Sequence, residues 1–365
     1  MRIARLIALV ANRIALTIYV WAVKLWEWPG LLADERPQFI VDEIVSPARG
    51  DTYAIVVKYA RFGLDDGVAE LVAALVRQGV NVIVVCNGQP RPDHLDRLRA
   101  GAHRLLVRRN IGRDFGAYRA ATLLLEREGL VPDRLLYFND SVIYLDGPEL
   151  DRLITALRVT PAGMLGAFEN HETRHHLGSF TFGQSAEVVA DPAVRRFWRR
   201  YRAYSLRPHA ILRGEIRLTT LVKSRGHRLD VVYSAQRLAS ELQRLPANEL
   251  AGLWRYLPSR TRGSEPVAGP DTRSRRDRLI DQLMASFMDS SQAHYAFGLF
   301  HRVLKAPIIK KDLLGRGVYL EHQCLRILDD LPPDTAQAVV RLLANRGRPV
   351  QLRGLHRFRY RNGLI

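Results

Sequence analysis

The chain has few cysteines, few lysines, few acidic residues and no long apolar run. Its two cysteines, Cys86 and Cys324, lie far apart. That excludes a disulfide scaffold and a zinc ribbon and fits a reducing compartment. No stretch of eighteen uncharged apolar residues is present, which excludes a multi-span membrane protein. Neither G-x-G-x-x-G nor G-x-x-x-x-G-K-[ST] occurs, so hydride transfer on a nicotinamide and P-loop phosphoryl transfer have no sequence support. There is no helix-turn-helix, no aromatic reading face and no internal repeat, so nucleic acid is not an expected partner.

Basic charge is abundant. Lys and Arg total 55 against 37 Asp and Glu, a net charge of +18, and only six of the 55 are Lys. Such a surface attracts polyanions such as phosphates and anionic lipid. The 365 residues, 47% apolar and 25% charged, have globular composition.

Residues 3–28 are strongly apolar, and their polar members fall within an arc of roughly 140° on a helical wheel. Trp21, Trp26 and Trp28 suit a membrane interface. Arg13 interrupts the run and argues against a signal peptide. An in-plane membrane anchor is the preferred expectation for residues 1–30; a core helix and a spanning helix are the alternatives. Pro29-Gly30 is expected to end the helix.

Residues 31–50 read as an irregular connector. Strand and helix patterns then alternate: strands at 53–58, 81–86, 103–107 and 134–138, helices at 68–77, 92–100 and 116–128. This order implies an α/β fold with a mainly parallel sheet, and ligands bind beyond the strands' carboxyl ends. A helix at 149–158, strands at 164–168 and 179–182, and helices at 192–204 and 215–225 follow. A domain over 50–235 is thus followed by a helical region over 236–365, with a mobile loop at 258–278, helices at 279–304 and 319–345, and a basic tail.

Three segments carry candidate chemistry. Arg109–Tyr118 sits between a strand and a helix. Gly112 and Gly116 allow backbone to approach a ligand, and the helix N-terminus with Arg109 and Arg113 suits a phosphate. Asn110 and Asp114 could fix a ribose, a base or a sugar hydroxyl; an Asp-capped helix is the plainer alternative. Asn139-Asp140-Ser141 ends a strand, where a carboxylate suits a divalent metal shared with a diphosphate, or simply a turn. Glu215 opens a helix, as a cap or as a general base aimed into a cleft.

Together these segments resemble the rhamnan synthesis protein F family of bacterial polysaccharide glycosyltransferases. Asn110–Tyr118 (NIGRDFGAY) resembles its N-x-G-R-D-x-G-A-[YW] signature, and Phe138–Ser141 its strand-end N-D-S. Leu177–Phe182, Glu215–Gly226, His294 and Ala306–Leu313 resemble later blocks of the family. Gly178, Ile308 and Asp312 stand where it has Gln, Phe and Glu. The resemblance implies a GT-A-like nucleotide-sugar fold and an inverting sugar transfer. It further implies a nucleoside diphosphate sugar as donor, of rhamnose by the family's name, and a lipid-linked saccharide or polysaccharide as acceptor. It places Asp140 at the Mg²⁺ or Mn²⁺ site of such folds and makes Glu215 the catalytic base. Asn110, Gly112, Arg113, Asp114 and Asn139 would hold the donor, with Asn87 and Tyr59 at the base and ribose. His294, Lys310 and Lys311 would neutralise the leaving diphosphate. The implied location is the cytoplasmic face of the bacterial inner membrane, where the protein is peripheral. The alternative is a catalytically idle assembly factor that keeps the fold.

Overall fold

A computed structural model describes residues 2–33, 38–60, 66–259, 266, 269–345, 353–362 and 364. Arg61, much of the 258–278 loop and residues 346–352 of the basic tail lie outside the described residues.

Among the described residues, eight strands form the main sheet: β1 (Val41–Ile44), β2 (Thr52–Tyr59), β3 (Asn81–Asn87), β4 (Arg104–Arg108), β5 (Arg134–Asn139), β7 (Met164–Gly166), β10 (Thr181–Ser185) and β11 (Leu229–Val231). Two small pairs lie outside it: β6 (Val142–Tyr144) with β12 (Ile308–Lys310), and β8 (Glu169–Asn170) with β9 (His176–Leu177). The main sheet runs in the order β1-β4-β3-β2-β5-β10-β7-β11. Only β1 and β10 oppose the common direction. This is the mainly parallel sheet that the alternation of strand and helix patterns leads one to expect.

Alternation along the strands explains the two cores. Ala54 and Val56 of β2 and Leu136 and Phe138 of β5 face one side, covered by α2 (Asp66–Arg77), α3 (Pro92–Arg99) and α5 (Pro148–Val159). Tyr53, Ile55 and Val57, with Leu135 and Tyr137, face the other. That side is covered by α4 (Arg113–Arg127), α7 (Pro192–Arg200), which follows the short α6 (Ala186–Ala190), and α9 (Ile216–Ser224), which follows the short α8 (Arg207–His209). From β2 the chain winds outward to β3 and β4, then returns to place β5 on the opposite side of β2. A crevice therefore opens at the carboxyl ends of β2 and β5, the topological switch point.

Several local expectations need correction. Residues 31–50 are not all connector, since Val41–Ile44 pairs antiparallel with β4. The C-terminal region is not purely helical: β12 pairs with β6 and so carries Lys310 to the strand-end crevice. A helix at Arg273–Ala285, capped by the Thr272 side chain, begins inside the expected loop. The first helix, α1 (Arg2–Ala33), runs past Pro29. Proline removes one hydrogen bond there, but Leu31 is buried in the core below and anchors the last turn.

The orientation of α1 is inverted relative to an ordinary surface helix. Its polar residues Lys24 and Glu27 face the body. Lys24 lies over the Tyr204 ring, and Glu27 Oε2 accepts a 2.9 Å bond from the Ser205 amide. Ile14, Ile18, Trp21, Leu25 and Leu32, at helical spacing, face outward and are exposed. Among the described residues, no helix is long and apolar enough to cross a membrane.

Candidate active site

The segment from β4 to α4 wraps into a tight loop because two glycines let backbone approach backbone. A Cβ on Gly116 would lie 2.1 Å from the Ile111 carbonyl, and one on Gly112 would lie 2.2 Å from Ala203 Cβ. Gly112 has φ +75°, and Arg113, which is not glycine, has φ +56°. Such a conformation in a bulky residue is strained and typical of ligand sites. The loop is braced from below. Asn87 Nδ2 donates to the Arg113 carbonyl at 3.0 Å, while Arg108 Nη1 donates to Asn87 Oδ1 at 2.8 Å and to the Ile111 carbonyl at 2.9 Å.

At the switch point Lys58 and Asp140 form a buried pair, Nζ to Oδ2 at 2.8 Å. The Tyr59 amide donates to the same oxygen at 3.2 Å. Asn139 Nδ2 donates to Asp114 Oδ2 at 3.0 Å, and Asn139 Oδ1 accepts from the Ser141 hydroxyl at 2.6 Å. Lys310 Nζ donates to Ser141 Oγ at 3.2 Å and lies 4.0 Å above the Phe180 ring.

On the other wall, a π-helical turn at Ala210–Glu215 leads into α9 and delivers Glu215. Its Oε1 accepts from the Ser179 hydroxyl, and its Oε2 lies 3.1 Å from His176 Nε2.

These groups feel one another. Burial, then the Asp140 charge, pushes the Asp114 carboxyl up to about 6, against the pull of Arg113 and Lys310. Burial would raise Glu215, but His176, Ser179 and Lys310 more than offset it and hold the group below the usual carboxylate range. His176 is lowered by burial and raised further by Glu215, so it ends above its ordinary value. Burial lowers Lys310 despite nearby Asp312 and Glu215. Arg113 is lowered by burial and by Arg207 and Arg359. Asp114, Glu215 and Lys310 are nevertheless only partly buried at the surface. Groups surrounded by protein yet touched by solvent line a cleft.

The sequence-derived candidates divide accordingly. Tyr59, Gly112, Arg113, Asp114, Asn139, Asp140, Glu215 and Lys310 converge on the cleft, and Asn110 sits exposed on its loop. Three candidates take other places. Asn87 is buried, with its amide used on Arg108 and Arg113, so it positions the loop and is turned away from a nucleotide. His294 is buried between Ser291 Oγ at 2.7 Å and Asp312 Oδ1 at 2.8 Å, which uses both ring nitrogens. Lys311 is buried, and its backbone amide donates to the Ser141 carbonyl at 3.1 Å. Sequence reasoning missed Lys58, His176, Ser179 and Arg207. Lys58 had a signal, as the sole charged residue inside the apolar strand Thr52–Tyr59.

The donor set at Asp140 does not fit a resident metal ion. Lys58 already supplies the compensating charge at Oδ2. Among the described residues, the one group of three converging His, Cys, Asp or Glu ligands lies elsewhere, at Glu169, His171 and His175. A cavity of about 400 Å³ beside Arg49, Asn81 and Arg99 sits at the amino ends of the strands, away from these groups.

Residues 82–249 match the family profile described as rhamnan synthesis protein F, which bears out the resemblance for the motifs from Asn110 to Gly226; His294 and Ala306–Leu313 lie outside the match. The chain is 25% identical over 274 residues to the uncharacterized protein y4gN of Sinorhizobium fredii, covering 71% of this chain and 70% of that one. Among solved structures it is similar to the mannosyltransferase PcManGT of Pyrobaculum calidifontis, solved with GDP-Man and Mn²⁺. That match has 13% identity, covers 92% of this chain and 97% of that one, and has a TM-score of 0.31. It is also similar to the glycosyltransferase GlyE of Streptococcus pneumoniae at 11% identity, 40% and 37% coverage and a TM-score of 0.27.

Proposed function

We propose that the protein matched to the rhamnan synthesis protein F family over residues 82–249 is an inverting glycosyltransferase. It moves a sugar, rhamnose by the family's name, from a nucleoside diphosphate sugar to a lipid-linked or polysaccharide acceptor of the bacterial envelope. The observation that carries this reading is Glu215, an ionised carboxylate held by His176 and Ser179 in a cleft shared with Asp114 and Lys310.

In this reading the diphosphate lies over the N-terminus of α4, beside Arg113 and Lys310. Asp114 and Asn139 take sugar or ribose hydroxyls. Glu215 removes the proton of an acceptor hydroxyl. The freed oxygen bonds to the anomeric carbon as the bond to the diphosphate oxygen breaks on the opposite face. The charge developing on the leaving group falls on Arg113 and Lys310, preorganised and partly shielded from water. The Mg²⁺ or Mn²⁺ expected from the family has no step here, because Lys58 holds Asp140.

The outward apolar face of α1, with its tryptophans, supports docking on a lipid surface. Among the described residues of α1, 201–213 and 353–362, Glu27 is the sole acidic side chain, and it is turned inward. That composition suits anionic headgroups and a peripheral place on the cytoplasmic face of the inner membrane. The link Glu27–Ser205–Gly112, in which Ser205 Oγ accepts the Gly112 amide at 3.2 Å, ties this face to the donor loop.

One observation favours the second reading, a catalytically idle assembly factor: both Asp140 and Glu215 are already engaged by protein partners. Glu215→Gln decides between them. Loss of sugar transfer with donor binding intact supports the base; donor binding without turnover in the native protein selects the idle factor.

A further inference from the structure

We propose that Glu169, His171 and His175 form a binding site for a transition-metal ion of the Zn²⁺ class, apart from the donor cleft, and that the ion braces the β8–β9 hairpin. Glu169 lies on β8, and the two histidines lie in the loop before β9. Glu169 Oε2 is 2.9 Å from His175 Nε2 and 3.4 Å from His171 Nε2, and all three ligand atoms lie within 4.8 Å of one another. Around a tetrahedral ion with bonds of about 2.0 Å, neighbouring ligand atoms stand roughly 3.3 Å apart. Small side-chain rotations therefore bring all three onto one ion.

The donor chemistry selects the ion. Two imidazoles and one carboxylate suit Zn²⁺ and its neighbours in the transition series; Mg²⁺ and Mn²⁺ prefer oxygen sets. The Ala235 backbone also acts on the carboxylate and favours its charged form. Such outer contacts orient ligating groups. The partial exposure of both histidines leaves a fourth position for water.

The consequence reaches the cleft. His175 and His176 are adjacent, and adjacent side chains on an extended segment point to opposite sides. One imidazole thus faces the ion while the next meets Glu215 at 3.1 Å. A bound ion holds the hairpin that presents His176. The proposal stands independently of the donor and of the sugar-transfer reading.

The test uses the full chain with any affinity tag cleaved, stripped by chelator dialysis and titrated with Zn²⁺ in a calorimeter at pH 7.5. The expected result is one equivalent bound, lost in the His171→Ala/His175→Ala double variant and kept in His322→Ala, an exposed histidine elsewhere. Co²⁺ provides a second readout on the native protein alone: ligand-field absorption in the visible is expected. Failure of the native protein to bind Zn²⁺, equal binding by the double variant, or a featureless Co²⁺ spectrum would each overturn the site and leave a simple His–Glu–His ion pair.

Discussion

The ammonium of Lys58 sits 2.8 Å from the carboxylate of Asp140, both buried at the carboxyl ends of adjacent parallel strands. In an α/β sheet this is where a ligand is expected, and here the protein has supplied its own cation. The pair is worth little as net stability, because desolvation opposes the attraction, but breaking it strands a buried charge. Lys58→Met is expected to destabilise the fold by about 3–5 kcal/mol, measured by urea unfolding. Lys58→Met with Asp140→Asn should recover part of that loss. An unchanged midpoint in the single variant would contradict the pairing.

Asp114 gives a pH signature. Its folded pKa, about 6, lies above the ordinary 3.8. The protonated form is therefore favoured on folding. That contribution is fully present below the ordinary value and is lost as pH rises through about 6. Asp114→Asn keeps the bond from Asn139 without the charge. It should be more stable than the native protein at pH 7 by on the order of 2 kcal/mol, with the difference vanishing near pH 4. The same change should weaken donor binding, as when stability is traded for function at a site. Thermal unfolding across pH 4–8 reads the first effect; a gain that persists at pH 4 would place the shift elsewhere.

Much of the fold was legible because the central strands are continuous apolar runs and their helices are strongly periodic. Short elements were not. β1, β6 and β12 have three or four residues each, and only pairing to distant segments stabilises them. The cleft was half legible. The loop Gly112–Asp114, Asn139-Asp140 and Glu215 carry recognisable residue types at strand ends or helix starts. Asn87 and His294 carry the same types, and burial turned their polar atoms inward. The partners of Asp140 and Glu215 come from segments tens of residues away, so no local pattern announces His176, and the lone charge of Lys58 in an apolar strand marks the residue but not its partner. For α1 the in-plane anchor reading already implied an outward apolar face, but the helical wheel left a core helix open, since it shows a stripe and not its direction.

Trp21 and Leu25 are 60% and 70% exposed on α1, so they contribute little to the folded chain. Trp21→Glu with Leu25→Glu should leave the melting temperature nearly unchanged. It should shift the protein from the floating to the soluble fraction when mixed with anionic phospholipid vesicles. Equal flotation of the variant would exclude this face as the lipid contact.

Gly116→Ala tests the loop. The new methyl meets the Ile111 carbonyl at 2.1 Å, so the Arg109–Asp114 turn must open. A stability loss of about 1–3 kcal/mol is expected from overpacking, together with loss of nucleotide-induced stabilisation. Retention of that stabilisation would mean that the turn does not hold the donor.

The central claim is that the crevice between β2 and β5 binds a nucleoside diphosphate with the protein's own cations. It is tested most directly by the melting temperature of the full chain in chelator, with a panel of nucleoside diphosphates and their sugars. A ligand at about 100 times its Kd stabilises the native state by about 2.7 kcal/mol. The account predicts a rise of a few degrees with one base, undiminished by chelator and lost in Lys310→Met. No rise with any nucleotide, or a rise that appears only when Mg²⁺ or Mn²⁺ is restored, would contradict it.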